Sequence, residues 1–134
     1  MITLKRRDLD TIIRHSQTEY PYEACGILAG KDGVVSVIYP MTNTERSPTT
    51  FFMNPEEQLQ VFKQMRKMGT EMLGIYHSHP ASSAYPSKRD CDLAYYEEAS
   101  HLIISLSNRD RPKVRSFKIK QRKIKKEKLK ILEG

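Results

Sequence analysis

The chain has 134 residues, 38% of them apolar and 29% charged, and a formal net charge of +7. That length predicts one domain, 1–134, which can bury a core without disulfide staples. No apolar run approaches the ~18 residues of a membrane helix, and no apolar stretch follows Lys5, Arg6 and Arg7, which argues against a signal peptide and for a cytoplasmic protein.

Ile2 and Leu4 alternate with polar residues and predict a short first strand. Over 7–20, Leu9, Ile12 and Ile13 recur at helical spacing and predict a helix ending before Pro21. Residues 24–30 read as a buried strand, Lys31-Asp32-Gly33 as a turn and 34–39 as the partner strand. A polar loop at 42–48 leads to a short strand at 49–53. Asn54-Pro55-Glu56-Glu57 has the make-up of a helix start, with Asn as N-cap and Pro in the first turn. Leu59, Val61, Phe62, Met65 and Met68 are the expected core face of that helix, and Gly69 its stop. Residues 73–76 form a strand running into His77. A loop of small residues and prolines follows at 80–86, then a helix from about Ser87. Residues 102–106 are a buried strand, and 114–119 with 124–131 a closing hairpin. The order β-α-β-β-β-α-β-α-β-β-β makes this an α/β protein: a mixed sheet flanked by helices.

The net charge conceals an asymmetry. Segment 111–130 holds eleven Lys/Arg and one acid, while the rest holds twelve Lys/Arg and fifteen acids. The basic end reads first as a solvated edge that discourages strand pairing, and second as a docking surface for an acidic protein or a nucleic acid. Only Phe117 supplies an aromatic ring there, so nucleic-acid binding is disfavoured. Cys25 and Cys91 read as free thiols in a reducing compartment, with a disulfide between them left open.

The chemistry concentrates in His77-Ser78-His79-Pro80, followed by Ser87 and Asp90. Side chains two apart on a strand share a face, so both imidazoles can reach one ion. Asp90 adds a third ligand, and a catalytic zinc site has three protein ligands with the fourth position open. Each piece has a plainer reading. His-x-His alone is common, and Ser87-x-x-Asp90 after Pro86 matches a helix N-terminus with Ser as cap and an acid at N3. Cap and ligand are compatible roles, because an acid in a first turn has a fixed direction. Spacing alone does not select Glu23 over Glu19 or Glu97.

The run His77-x-His79, seven residues, Ser87, two residues, Asp90 resembles the metal signature of the JAMM (MPN+) metalloprotease family. Glu23-x-x-Gly26-x-Leu28-x-Gly30 is similar to that family's upstream glutamate motif. No motif position departs from the pattern. The resemblance implies the JAB1/MPN architecture, which is cytidine-deaminase-like. It implies that His77, His79 and Asp90 bind one Zn2+ per chain, acidifying a water and polarising the scissile carbonyl. Glu23 is then the proton shuttle and Ser87 the oxyanion donor, while Ser78 orients backbone.

The chain resembles the compact prokaryotic members, lacking room for the insertions that grip ubiquitin chains. That implies hydrolysis of the amide bond after the C-terminal Gly-Gly of a ubiquitin-like sulfur-carrier protein. The tail is expected in a groove between loop 80–86 and strand 49–53. Alternatives are a non-catalytic module that binds a ubiquitin-like protein, and a nucleic-acid-associated RadC-like domain. Deamination is rejected, because Cys25 and Cys91 do not form the Cys-x-x-Cys ligand pair it needs. Oligomeric state is not legible.

Overall fold

The computed structural model describes residues 1–133. Its elements run β1 (Ile2–Lys5), α1 (Arg6–Glu19), β2 (Cys25–Lys31), β3 (Val34–Met41), α2 (Pro55–Met68), β4 (Glu71–His79), α3 (Lys88–Asp92), β5 (Ser100–Ser105), β6 (Lys113–Lys120), β7 (Lys123–Glu127) and β8 (Leu129–Leu132). The strands form one mixed sheet in the order β7-β6-β5-β4-β2-β3-β1-β8. The α/β expectation holds, and among the described residues no helix is long and apolar enough to cross a membrane.

Two expectations need correction. Residues 49–53 are not a strand: within them only Met53 makes a bridge, to Asn43. The segment is held by side chains, as described below. The last strand, expected to run unbroken through 124–131, divides at Lys128. Its first part pairs with β6 and its second, β8, pairs in parallel with β1. The helix expected from about Ser87 is present, with Ser87 as its N-cap, and is five residues long.

Two cores lie on opposite faces of the sheet. On one face, Leu9 and Ile12 of α1 pack against Ile2, Leu4, Leu28, Val35, Tyr76, Leu102 and Ile104. Each such burial contributes roughly 1.5–3 kcal/mol before entropy is counted. On the other face, Met65 of α2 meets Cys25, Ile27, Ala29, Met41 and Met53. Asn54 caps α2 by accepting from the backbone N–H of Glu56 and Glu57, and Gly69 ends it at φ 67°. Its core face is narrower than its apolar residues suggest. Leu59 and Met68 are exposed, at 54% and 49%, and Met65 alone is fully buried. The helix rests on the sheet by one stripe.

Strand alternation then sets the site. In β4, Tyr76 and Ser78 turn toward α1, while Ile75, His77 and His79 face the α2 side. Parallel pairing with β5 and antiparallel pairing with β2 make β4 a central strand, with His77 opposite Cys25 and Ile103. Both histidines are buried; His77 has a ladder partner on each side, and His79 pairs with Ser105 of β5.

Candidate metal centre

Nε2 of His77, Nε2 of His79 and Oδ2 of Asp90 form a triangle with every edge 3.1 Å. Ligand atoms at zinc distances of ~2.0–2.1 Å and tetrahedral angles stand about 3.3 Å apart. The three donor atoms therefore outline one face of a tetrahedral site, and a metal ion fits them without moving an element. All three are lone-pair donors, and the two imidazoles are 2–3% exposed. A cation is the group such a cluster accommodates.

Each ligand is aimed by a second contact. Nδ1 of His79 lies 2.8 Å from the carbonyl oxygen of Ser83, which directs Nε2 inward. The His77 ring stacks on Phe51, with centroids 4.8 Å apart. Asp90 sits in a capping box: its Oδ2 accepts from the Ser87 N–H at 2.9 Å, while Ser87 Oγ accepts from the Asp90 N–H at 3.1 Å. The cap reading of Ser87-x-x-Asp90 is thus present in the geometry, and Asp90 Oδ2 remains beside both imidazoles. The Ser87 hydroxyl hydrogen has no acceptor among the described residues. Burial works to raise the Asp90 carboxyl, yet the hydrogen bonds to His77 and His79 hold it well below the usual carboxylate range. Its charged form is the one that could hold a cation.

Glu23 lies two residues before β2 and is 4% exposed. It stands apart from the three converging atoms but within reach of their charges. Burial pushes its carboxyl up to about 8, against the opposing effect of His79 and with the help of Asp90. Its Oε1 is buried without a partner among the described residues. The backbone around it is pinned from both sides. The Glu23 N–H donates to Ser47 O at 2.8 Å, and Asn43 Nδ2 donates to Glu23 O at 3.0 Å. Ser78 Oγ accepts from the Ala24 N–H at 2.8 Å, which ties β4 to the start of β2. Ser78 therefore orients backbone, as expected.

Asn43 was not singled out by the sequence. Its Nδ2 also donates to Thr50 O, and its Oδ1 accepts from the N–H groups of Glu45 and Phe52. This side chain replaces the ladder that a 49–53 strand would have had. Nothing local in a polar loop marks such a residue. The Ser83 carbonyl, a backbone group, is equally silent in sequence.

A cleft of about 160 Å3 opens beside His77 and Asp90. Residues 50–53 form one wall and Arg89, Leu93, Tyr95 and Tyr96 the other, and loop 80–86 does not line it. That loop instead packs down, with Ala84 against Ile103 and Phe117. Both cysteines are free; Cys25 is buried.

The profile of prokaryotic homologues of the JAB domain matches residues 5–120. A CysO-cysteine peptidase of Mycobacterium tuberculosis is 39% identical over 117 residues, covering 85% of this chain and 80% of that protein. A solution structure of a Desulfitobacterium hafniense protein superposes with a TM-score of 0.91 at 42% identity, over 100% of this chain and 94% of that one. A JAB1/MPN domain protein of Archaeoglobus fulgidus shares the fold, with a TM-score of 0.65 at 20% identity over 98% and 97% of the two chains. A sheet with this strand order, a His-x-His at the end of its central strand and a profile match over most of the length lead to one assignment: the chain belongs to the prokaryotic JAB (JAMM) family.

Proposed function

We propose that residues 1–134 form a single zinc metallopeptidase domain. It hydrolyses the amide bond after the C-terminal Gly-Gly of a ubiquitin-like sulfur-carrier protein. The observation that carries this reading is the convergence of His77, His79 and Asp90 on one point, with the buried Glu23 carboxylate under the influence of the same charges. Zinc held by those three residues would supply Lewis acidity, polarising the scissile carbonyl and acidifying a water at the open position.

The chain's own groups do the rest. Glu23 accepts the proton of the attacking water and passes it to the leaving nitrogen. Burial raises this carboxyl, which favours holding the proton once it is taken, and a zinc ion nearby would oppose the rise and favour the carboxylate that takes it. The free Ser87 hydroxyl hydrogen donates to the oxygen that becomes negative, an interaction worth on the order of 3 kcal/mol in the transition state. The Ser83 carbonyl and the Ser87 N–H fix the ligand directions. The narrow cleft, with Phe51, Phe52, Tyr95 and Tyr96 in its walls, suits an extended tail with no side chains. The relative named a CysO-cysteine peptidase supports the substrate class and the release of an amino acid.

The test is incubation of the zinc-loaded protein with carrier fusions extended past Gly-Gly, read by mass spectrometry. Cleavage directly after Gly-Gly is expected. Glu23→Gln should abolish it while one zinc per chain stays bound, and retained activity in that variant would remove Glu23 from the mechanism.

A further inference from the structure

The hairpin of β6 and β7 is strongly basic, and the chemistry described above makes no use of it. Ladder register fixes which of its residues face the metal centre. In the floor of the cleft, His101 lies beside Ile75. Phe117 is opposite His101, and Lys126 is opposite Phe117. In the next row, Ile103 lies beside His77 and Arg115 is opposite Ile103. Residues paired across a ladder share a face. Arg115, Phe117 and Lys126 therefore stand on the face that carries the two imidazoles, while Lys123 and Lys125, opposite Lys120 and Lys118, stand on the other.

This face holds more than charge. The Tyr85 ring packs edge-on against Phe117, with centroids 5.5 Å apart, yet Tyr85 is 55% exposed. Arg115 and Lys126 flank Phe117, one along its strand and one across the ladder, and both are exposed. Among the described residues neither pairs with an acid. A solvated edge that discourages strand pairing accounts for lysines on either face. It does not account for an aromatic ring left half-open among unpaired cations. An aromatic centre with a charged rim is the make-up of a protein-contact surface.

The position of the cleft says what would sit there. Its floor steps from His77 and Ile75 of β4 to His101 of β5, toward the hairpin. The wall residues Leu93, Tyr95 and Tyr96 lie in a segment fastened to that hairpin. Arg122 pairs with Asp92, and Lys118 Nζ donates to the carbonyl oxygen of Glu98. Strands lie ~4.8 Å apart, so β7 is about 14 Å from β4, and an extended tail rising ~3.3 Å per residue covers that in about four residues. A substrate whose tail end reaches the metal ligands thus has its folded body held at the distance of the hairpin.

We propose that Tyr85, Arg115 and Lys126 form the docking surface for the folded body of the substrate protein, which meets them with an acidic patch. The inference rests on the peptidase reading above and deepens it, because the surface lies outside the cleft and takes no part in the chemistry.

Two substrates test it: a carrier fusion extended past Gly-Gly that the zinc-loaded protein cleaves, and a peptide holding only the end of that carrier's tail with the same extension. The fusion should have the lower KM. Arg115→Glu combined with Lys126→Glu should raise the fusion's KM by on the order of tenfold, with its kcat and the handling of the peptide unchanged. Added salt should lower kcat/KM for the fusion in the wild type, and by less in this variant. Lys123→Glu combined with Lys125→Glu makes the same change of net charge on the other face, and should leave the fusion's KM at the wild-type value. An unchanged KM in the Arg115 and Lys126 variant, or an equal rise in the variant of the other face, overturns the docking surface and leaves the peptidase reading intact. If, with that KM unchanged, the first variant loses affinity for a single-stranded DNA oligonucleotide, the surface belongs to nucleic acid instead. Cleavage of no fusion overturns the peptidase reading, and this inference with it.

Discussion

Gly26 shows how much of the upstream motif is packing. A Cβ there would fall on the ring of Tyr76, at Cε2, Cζ and the hydroxyl oxygen. Tyr76 is fully buried, and its hydroxyl lies 2.7 Å from His15 Nδ1. The glycine of Glu23-x-x-Gly26 therefore keeps β2 close against the strand that carries both histidines. His101 carries a prediction at the same scale. It lies opposite Ile75 and Phe117 in the ladder, and its Nε2 is buried without a partner among the described residues. Burial, then the neighbouring His77, lowers it to about 4 from 6.5. The unfolded chain thus binds a proton between those pH values that the folded chain refuses, and stability rises with pH through that window. In metal-free protein the term is on the order of 3 kcal/mol, fully present above about 6.5 and lost by about 4. Urea midpoints from pH 4 to 7 should show a steeper slope for the wild type than for His101→Gln. Equal slopes would assign the pH dependence to other groups.

At the scale of elements, α3 concentrates two roles in one turn. A five-residue helix has little stability of its own; it is held by its capping box and by whatever Asp90 binds. Ser87→Ala removes the cap acceptor, worth ~1 kcal/mol. It also loosens the direction of Asp90, which lowers metal affinity by about 10- to 100-fold. Zinc competition with a chromophoric chelator measures the second effect. At saturating zinc a further kcat loss on the order of 100-fold should remain, from the missing oxyanion donor. Full kcat at saturation would leave Ser87 with the cap alone.

These proposed roles were legible through the family resemblance; spacing alone did not select Glu23, and Ser87-x-x-Asp90 alone read as a helix start. The sequence pattern misled at residues 49–53, which read as a strand and are not one. Their order comes from Asn43, a single side chain that bonds the backbone of Thr50 and Phe52, and periodicity does not register such bonds. It also overstated α2. Leu59 and Met68 fit the helical period, but both are exposed, and Met65 alone on the helix is fully buried.

For the whole molecule, the division at Lys128 matters most. The Ile2 N–H donates to Lys128 O, and β8 pairs with β1 from Ile2↔Leu129 to Lys5↔Leu132. One segment therefore leaves the β6 edge of the sheet and covers the outer edge of β1. Hydropathy alternation through 124–131 looks the same whether the strand has one neighbour or exchanges it halfway, so this was not readable from pattern. Deleting residues 129–132 should uncover a β1 edge and lower Tm by more than about 5 °C. Self-association should appear in light scattering. A monomeric deletion with wild-type Tm would show that β8 is dispensable.

The same ladder joins residues made at very different times. On the ribosome, β1, α1 and β2 to β4 can assemble while the segment that covers β1 is still in the exit tunnel. Until residue 132 emerges, the earliest strand waits with its backbone donors and acceptors open on one side. A crowded polysome, where the neighbouring nascent chain carries the same open edge, is then the setting in which this protein is most exposed to pairing with a copy of itself.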